Sequence, residues 1–225
     1  MLKKTVLLIL ASCAFAAQAQ AQIAVLDTDV NIAALESPVE TKAKSFDVGG
    51  SVELLQGTDG ATILTPQYHW RSGKCDGFGF VDIFVDGGPL KFLGDNTINC
   101  KVAGPVFVSA EAGATNFGVT AKAGIGVDVP LPGMIFTRVT AYPVVTRGDG
   151  DRPQVKVTWL SKDLKLGKKV SAYTTGFARF RDGAPDVAQP QIWLKVDGLP
   201  FEVGAEAAFF GSEKPGVLFG IKVGG

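Results

Sequence analysis

From Ser45 to its end the chain is one short alternating segment after another, cut by Gly, Pro and Asp, with no stretch of helical period. A pattern of period two suits an extended chain, whose side chains point to opposite faces in turn. Eleven segments carry it: Phe46–Gln56, Thr62–Ser72, Phe78–Asp86, Val106–Thr115, Phe117–Val129, Ile135–Val145, Pro153–Ser161, Lys169–Arg181, Gln191–Asp197, Phe201–Phe210 and Gly216–Val223. Several run about 9–11 residues, the length a tilted strand needs to cross a bilayer. Between them stand turn formers such as Gly57-Thr58-Asp59-Gly60, Gly148-Asp149-Gly150-Asp151 and Asp182-Gly183. Closed bacterial barrels take even strand numbers, so one segment is missed or split, and Lys91–Val102 is where another strand could lie.

The two faces of these segments differ in chemistry. In Phe201–Phe210 one face carries Phe201, Val203, Ala205, Ala207 and Phe209, and the other carries Glu202, Gly204, Glu206, Ala208 and Phe210. In Phe78–Asp86 the residues Gly79, Val81, Ile83 and Val85 oppose Phe78, Phe80, Asp82, Phe84 and Asp86. A face with repeated carboxylates cannot enter hydrocarbon. Such a strand suits a transmembrane barrel with its apolar side on lipid and its polar side on a wet lumen. A soluble β-sandwich or small barrel, apolar side inward, shows the same alternation. Strand length beyond the usual 5–6 or so residues, the 28 glycines, and aromatics near strand ends (Tyr68, Trp70, Trp159, Phe209, Phe210) favour the membrane. The expected fold is all-β, an antiparallel transmembrane β-barrel of 10–12 strands over residues 45–225.

Residues 1–21 read as a secretory signal. Lys3 and Lys4 precede an apolar core, and Ala17-Gln18-Ala19 or Ala19-Gln20-Ala21 offers a cleavage site. The apolar run is too short for a spanning helix, which needs roughly 20 residues. Leu10-Ala11-Ser12-Cys13 also resembles a lipoprotein cleavage box. Residues 22–44 read as a poorly packed N-terminal segment or partial plug. Export through a signal peptide with a barrel behind it implies the outer membrane of a Gram-negative cell. In an oxidising compartment the remaining pair, Cys75 and Cys100, is expected to be a disulfide, with two free thiols as the alternative. No recognised metal-ligand spacing is present, so neither a metal nor a cofactor is expected. With 22 basic and 22 acidic residues, the chain lacks the cationic surface that nucleic-acid binding requires.

Four local signatures occur in order: Tyr68-His69-Trp70-Arg71-Ser72-Gly73 with Gly77 to Phe84; Gly124-Ile125-Gly126-Val127-Asp128-Val129-Pro130 with Pro132 to Phe136; Gln154 to Trp159 followed by Gly176-Phe177; and Gln189-Pro190-Gln191 followed by Val203-Gly204-Ala205-Glu206. In this order the chain resembles the nucleoside-specific channel-forming outer-membrane porins, the Tsx-like family, as a distant member. The resemblance implies passive diffusion of a nucleoside-like small solute, contact with outer-membrane lipids, and insertion by the outer-membrane assembly machinery.

A channel of this kind needs aromatic faces and sugar-binding carboxylates along its lumen. Aromatic stacking contributes roughly 1–3 kcal/mol per base. By face, the lumen candidates are Phe78, Phe80, Asp82, Phe84, Glu202 and Glu206, with Tyr173, Phe177, Arg179 and Arg181 sharing a face of another strand. For Phe78 to Phe84 the alternative is phenyls on lipid and aspartates at a loop. Arg179 and Arg181 also read as a solvated strand end beside Asp182. Catalysis would need a base near a nucleophile. The single histidine, His69, has Ser72 three residues on, which in a strand is the opposite face, so no enzyme is expected. The rival functions are a filled, non-channel barrel with a structural or interaction role, and a soluble periplasmic β-barrel that binds a small ligand.

Overall fold

A computed structural model describes residues 46–85, 91–116, 118–146, 152–211 and 216–224. The expected signal segment 1–21, the lipobox cysteine Cys13 and the segment 22–44 lie outside the described residues. The strands are β1 Phe46–Gly57, β2 Thr62–Ser72, β3 Cys75–Phe84, β4 Lys91–Ala103, β5 Val106–Thr115, β6 Gly118–Asp128, β7 Met134–Thr146, β8 Gln154–Ser161, β9 Leu164–Lys165, β10 Val170–Arg181, β11 Ala184–Val196, β12 Phe201–Phe210 and β13 Gly216–Gly224. β9 is a two-residue strand paired to β10 alone. The other twelve form one closed antiparallel wall: each pairs with its neighbour, and β13 returns to β1 through pairs such as Val52↔Val223. The strand sought within Lys91–Val102 is β4.

Hairpin chemistry sets these connections. At Asp182-Gly183, between β10 and β11, both residues take positive φ (52° and 79°), the Asp-Gly turn whose twist matches the strands it joins. Cys75 and Cys100 face each other across β3 and β4 and are bonded. The bond ties the ends of the β3–β4 hairpin together, beside the turns at Gly73 and Gly104, as the expected pairing required.

The wall is polar inside and apolar outside. The outward positions of the twelve strands, read from the pairing registers, include Val52 and Leu54 on β1, Val108 and Ala110 on β5, Val119 and Ile125 on β6, Val203 and Ala205 on β12, and Phe219 and Ile221 on β13. Apart from Asp186 in a bulge of β11, none of these outward strand positions holds a charged residue. Phe219 is 55% exposed, whereas Glu53 is 1% exposed and Glu111 2%. That is the reverse of a soluble sandwich, and only hydrocarbon around the wall makes it stable. Outer aromatics also cover backbone: the Trp70 ring lies over Gly77, the Tyr68 ring over Gly79, and the Tyr68 hydroxyl donates to Asn96. Tyr68, Trp70, Trp159 and Phe209 face outward. Phe210 shares the register of Glu206 and belongs to the inner face, contrary to its expected place in an outer girdle.

Candidate functional site

Alternation turns one side chain in two toward the interior, and twelve strands bring those side chains within reach of one another. Phe78, Phe80, Asp82 and Phe84 of β3, Tyr173, Phe177, Arg179 and Arg181 of β10, and Glu202 and Glu206 of β12 all take the inward register. The phenyls of β3 are therefore not on the lipid side.

Opposite walls touch. β3 and β10 stand six places apart round the twelve-strand ring, yet the Phe80 and Phe177 rings lie 6.4 Å apart. Phe78 continues this aromatic layer, 6.0 Å from Phe80. Phe84 instead packs on an apolar cluster that includes Leu55, Ile63, Trp193 and Leu218. The Trp193 ring fits inside the barrel because Gly204, its cross-strand partner, has no side chain in its way.

Beside the aromatic pair lies a buried charge cluster. Lys156 donates to Glu111 at 2.6 Å and sits 3.5 Å from Asp95. Lys122 also donates to Glu111, as does the Tyr142 hydroxyl at 3.2 Å. Arg179 reaches Asp95 at 3.5 Å from nearly the far side of the barrel. Lys156 and Arg179 both approach the Phe177 ring, at 5.2 and 5.8 Å, where the ring's negative face attracts them. Arg179 is thus no solvated strand end. Arg181 pairs with Asp186, and Arg152 rather than either arginine takes Asp182.

A second cluster uses amides instead of cations. Gln191 donates to Glu206 at 2.6 Å and to Glu53 at 3.1 Å, and Gln189 donates to Glu206 at 3.3 Å. Thr65 donates to Asp82 at 2.6 Å. One cation is at hand: Lys222, 3.4 Å from Glu53.

The end of the barrel where β1 starts carries two more bridges. Arg138 binds Asp76 through both terminal nitrogens, at 2.7 and 3.1 Å, and Asp128 through Nε at 2.8 Å. Its guanidinium stacks on Phe107, 4.5 Å from the ring centre. On the other side the Tyr173 hydroxyl donates to Glu202 at 2.6 Å, with Lys195 4.5 Å from the Tyr173 ring centre.

Sequence reasoning missed Glu53, Asp76, Asp95, Glu111, Lys122, Arg138 and Lys156. Glu53, Glu111, Lys122 and Lys156 stand at the parity opposite their strands' apolar residues, as Glu111 does in Val106–Thr115, whereas Asp95 lies in a strand with mixed faces and Asp76 precedes the segment read as a strand. The rule that found Asp82 would have found the first four. His69 also takes the inward register, with its ring over Gly49, while Ser72 has the opposite parity.

No protein-family model and no curated protein sequence matches the chain. Among solved structures, a chain from work on the in-meso crystallization of membrane proteins matches with TM-score 0.41 at 11% identity, over 79% of this chain and 83% of that one. A triple mutant of Rhodopseudomonas blastica porin matches with TM-score 0.34 at 7% identity, over 80% of this chain and 100% of that one. At these scores the likeness assigns neither family nor activity.

Proposed function

We propose that this chain is an outer-membrane barrel through which small solutes diffuse passively along a narrow, charge-lined interior. The observation that supports it is the inside-out polarity: buried charges line the interior, while the outward strand positions are uncharged apart from one bulge. An ion or polar solute would find exchangeable partners inside and a low-dielectric wall outside. Passage requires binding that is favourable at the mouth and weak enough to release. The Phe80–Phe177 contact joins opposite walls, so flux depends on those rings swinging aside, and a small unit conductance is expected. Residues 1–21 would act as the export signal, removed before insertion by the assembly machinery.

A nucleoside-like cargo is the finer reading. Phe80 and Phe177, once parted, present two faces to a planar base, and Asp82 and Glu206 could accept from sugar hydroxyls. The opposing reading is a filled barrel with a structural or interaction role, and the contact between opposite walls favours it.

Planar-bilayer recording of the purified protein separates the two. Under the channel reading the wild type gives small unitary currents, and Phe80→Ala with Phe177→Ala raises conductance several-fold. Adenosine at millimolar concentration would reduce wild-type current if the cargo is nucleoside-like. Silence from both the wild type and the widened variant would leave the filled barrel.

A further inference from the structure

The outer wall is indented along one seam. Across β8, β10, β11, β12 and β13 a groove of about 430 Å³ opens toward the membrane, lined chiefly by Trp159, Thr174, Pro190, Ile192, Ala207 and Val217. It is an open depression along the wall and not an enclosed cavity, and its lining is mostly apolar.

Its shape follows from the sequence. Trp159, Gly176 and Pro190 are successive cross-strand neighbours, and Ala207 and Val217 continue the same line on the far side of the seam. Small residues at the centre of that line make a floor between the Trp159 ring and the Val217 side chain. Gly176 has φ +148°, which side-chain-bearing residues rarely adopt, and a Cβ there would collide with the backbone of Gln189 and Pro190. The floor therefore cannot easily be filled from β10.

The seam has a second peculiarity. The pairing of β11 with β12 stops after Ala188↔Phe209 and resumes at Gln191↔Glu206. Between them stands Pro190, which has no N–H to give the ladder. The groove lies over this interruption, and Gln191 and Glu206 border it from the next pair.

The groove is continuous with the lipid-facing band, and its outward residues carry no charge. The inside-out polarity of the wall puts hydrocarbon around it, and a flexible acyl chain can follow an open, uncharged depression of this kind. We propose that the groove over the Pro190 seam is a specific site for one acyl chain of a membrane phospholipid. The chain covers the interrupted ladder and keeps water from it. The site depends on the barrel's orientation toward lipid and not on whether the interior conducts.

The test uses the three tryptophans of the chain. Trp159 and Trp70 face outward, and Trp193 is fully buried inside. In maltoside micelles a phosphatidylcholine with brominated acyl chains is titrated against Trp70→Phe protein, which reports Trp159, and against Trp159→Phe protein, which reports Trp70. Quenching of Trp159 should saturate near one lipid per barrel and be several-fold stronger than that of Trp70 at equal lipid. Ala207→Phe should abolish the saturable part, and Ala205→Leu serves if Ala207→Phe does not fold. Parallel, non-saturating quenching at both tryptophans would overturn the proposal. So would a dimer that becomes monomeric on Ala207→Phe, since a second copy would then be the occupant. Either outcome leaves the conductance readings untouched.

Discussion

The two buried polar clusters of the interior solve one problem in different ways. Around Glu111 the carboxylates meet cations: Asp95 and Glu111 face Lys122, Lys156 and Arg179. Around Glu206 they meet amides and a hydroxyl: Glu53, Asp82 and Glu206 face Gln189, Gln191 and Thr65, with Lys222 the nearby cation. In formal charge the first group sums to +1 and the second to −2. The first locks walls together through charge pairs whose partners cannot be removed singly without leaving a bare buried ion. The second holds its carboxylates in place with neutral donors, so its charge is not cancelled locally. The interior therefore has a stapled side and a side with surplus negative charge.

The largest expected effect comes from removing the staple. Glu111→Ala would leave Lys122 and Lys156 without their shortest contacts and would strand three cations around Asp95. Breaking a buried pair in this way costs about 3–5 kcal/mol. Urea unfolding in micelles, followed by the heat-modifiable gel mobility of the folded barrel, should show that loss. A loss below 1 kcal/mol would mean that water already reaches Lys122 and Lys156, and the cluster would not be a staple.

A smaller effect is expected at Lys222. It pairs with Glu53 and lies 5.4 Å from the Trp193 ring and 5.7 Å from the Tyr173 ring. Lys222→Met keeps the aliphatic stem against both rings and removes only the charge. Glu53 keeps its bond from Gln191, so the cost should be about 1–3 kcal/mol, the range for one unsatisfied buried polar group. If Lys222→Met cost as much as Glu111→Ala in the same unfolding assay, the distinction between the two clusters would fail.

The sequence carried the fold well, because a period of two written across nearly the whole chain leaves few alternatives. Strand β4 was the exception. In Lys91–Ala103 the inward residues Leu93, Asp95, Thr97 and Asn99 alternate with Phe92, Gly94, Asn96 and Ile98, and polar residues on both faces blur the pattern. Asn96 tolerates its outward place because Tyr68 bonds it, a partner no local reading shows. The inward set on β3, β10 and β12 was legible for the same reason as the fold. The contacts among these residues were not. Arg179 meets Asp95, and Phe80 meets Phe177, only because the wall closes and brings nearly opposite strands together. Pro190 could be read as a ladder breaker, but the groove over it also needs Gly176 and Ala207 on neighbouring strands.

The smallest effect on stability, and the clearest on function, is expected on the amide side. Glu206→Gln replaces a carboxylate that accepts from two glutamine amides with an amide that can still accept from one. The shape is unchanged, and removing a like charge beside Glu53 and Asp82 offsets the glutamine amide left without its acceptor, so the stability change should stay within about 1 kcal/mol. The charge, however, is gone. In the Phe80→Ala, Phe177→Ala background, where the constriction no longer limits flux, Glu206→Gln should lower the potassium-to-chloride permeability ratio severalfold, and adding Asp82→Asn should lower it further. Reversal potentials under a salt gradient measure this directly. A ratio that stays fixed through both substitutions would place Glu206 and Asp82 off the conduction path, and the surplus negative charge would then serve only the packing of the wall.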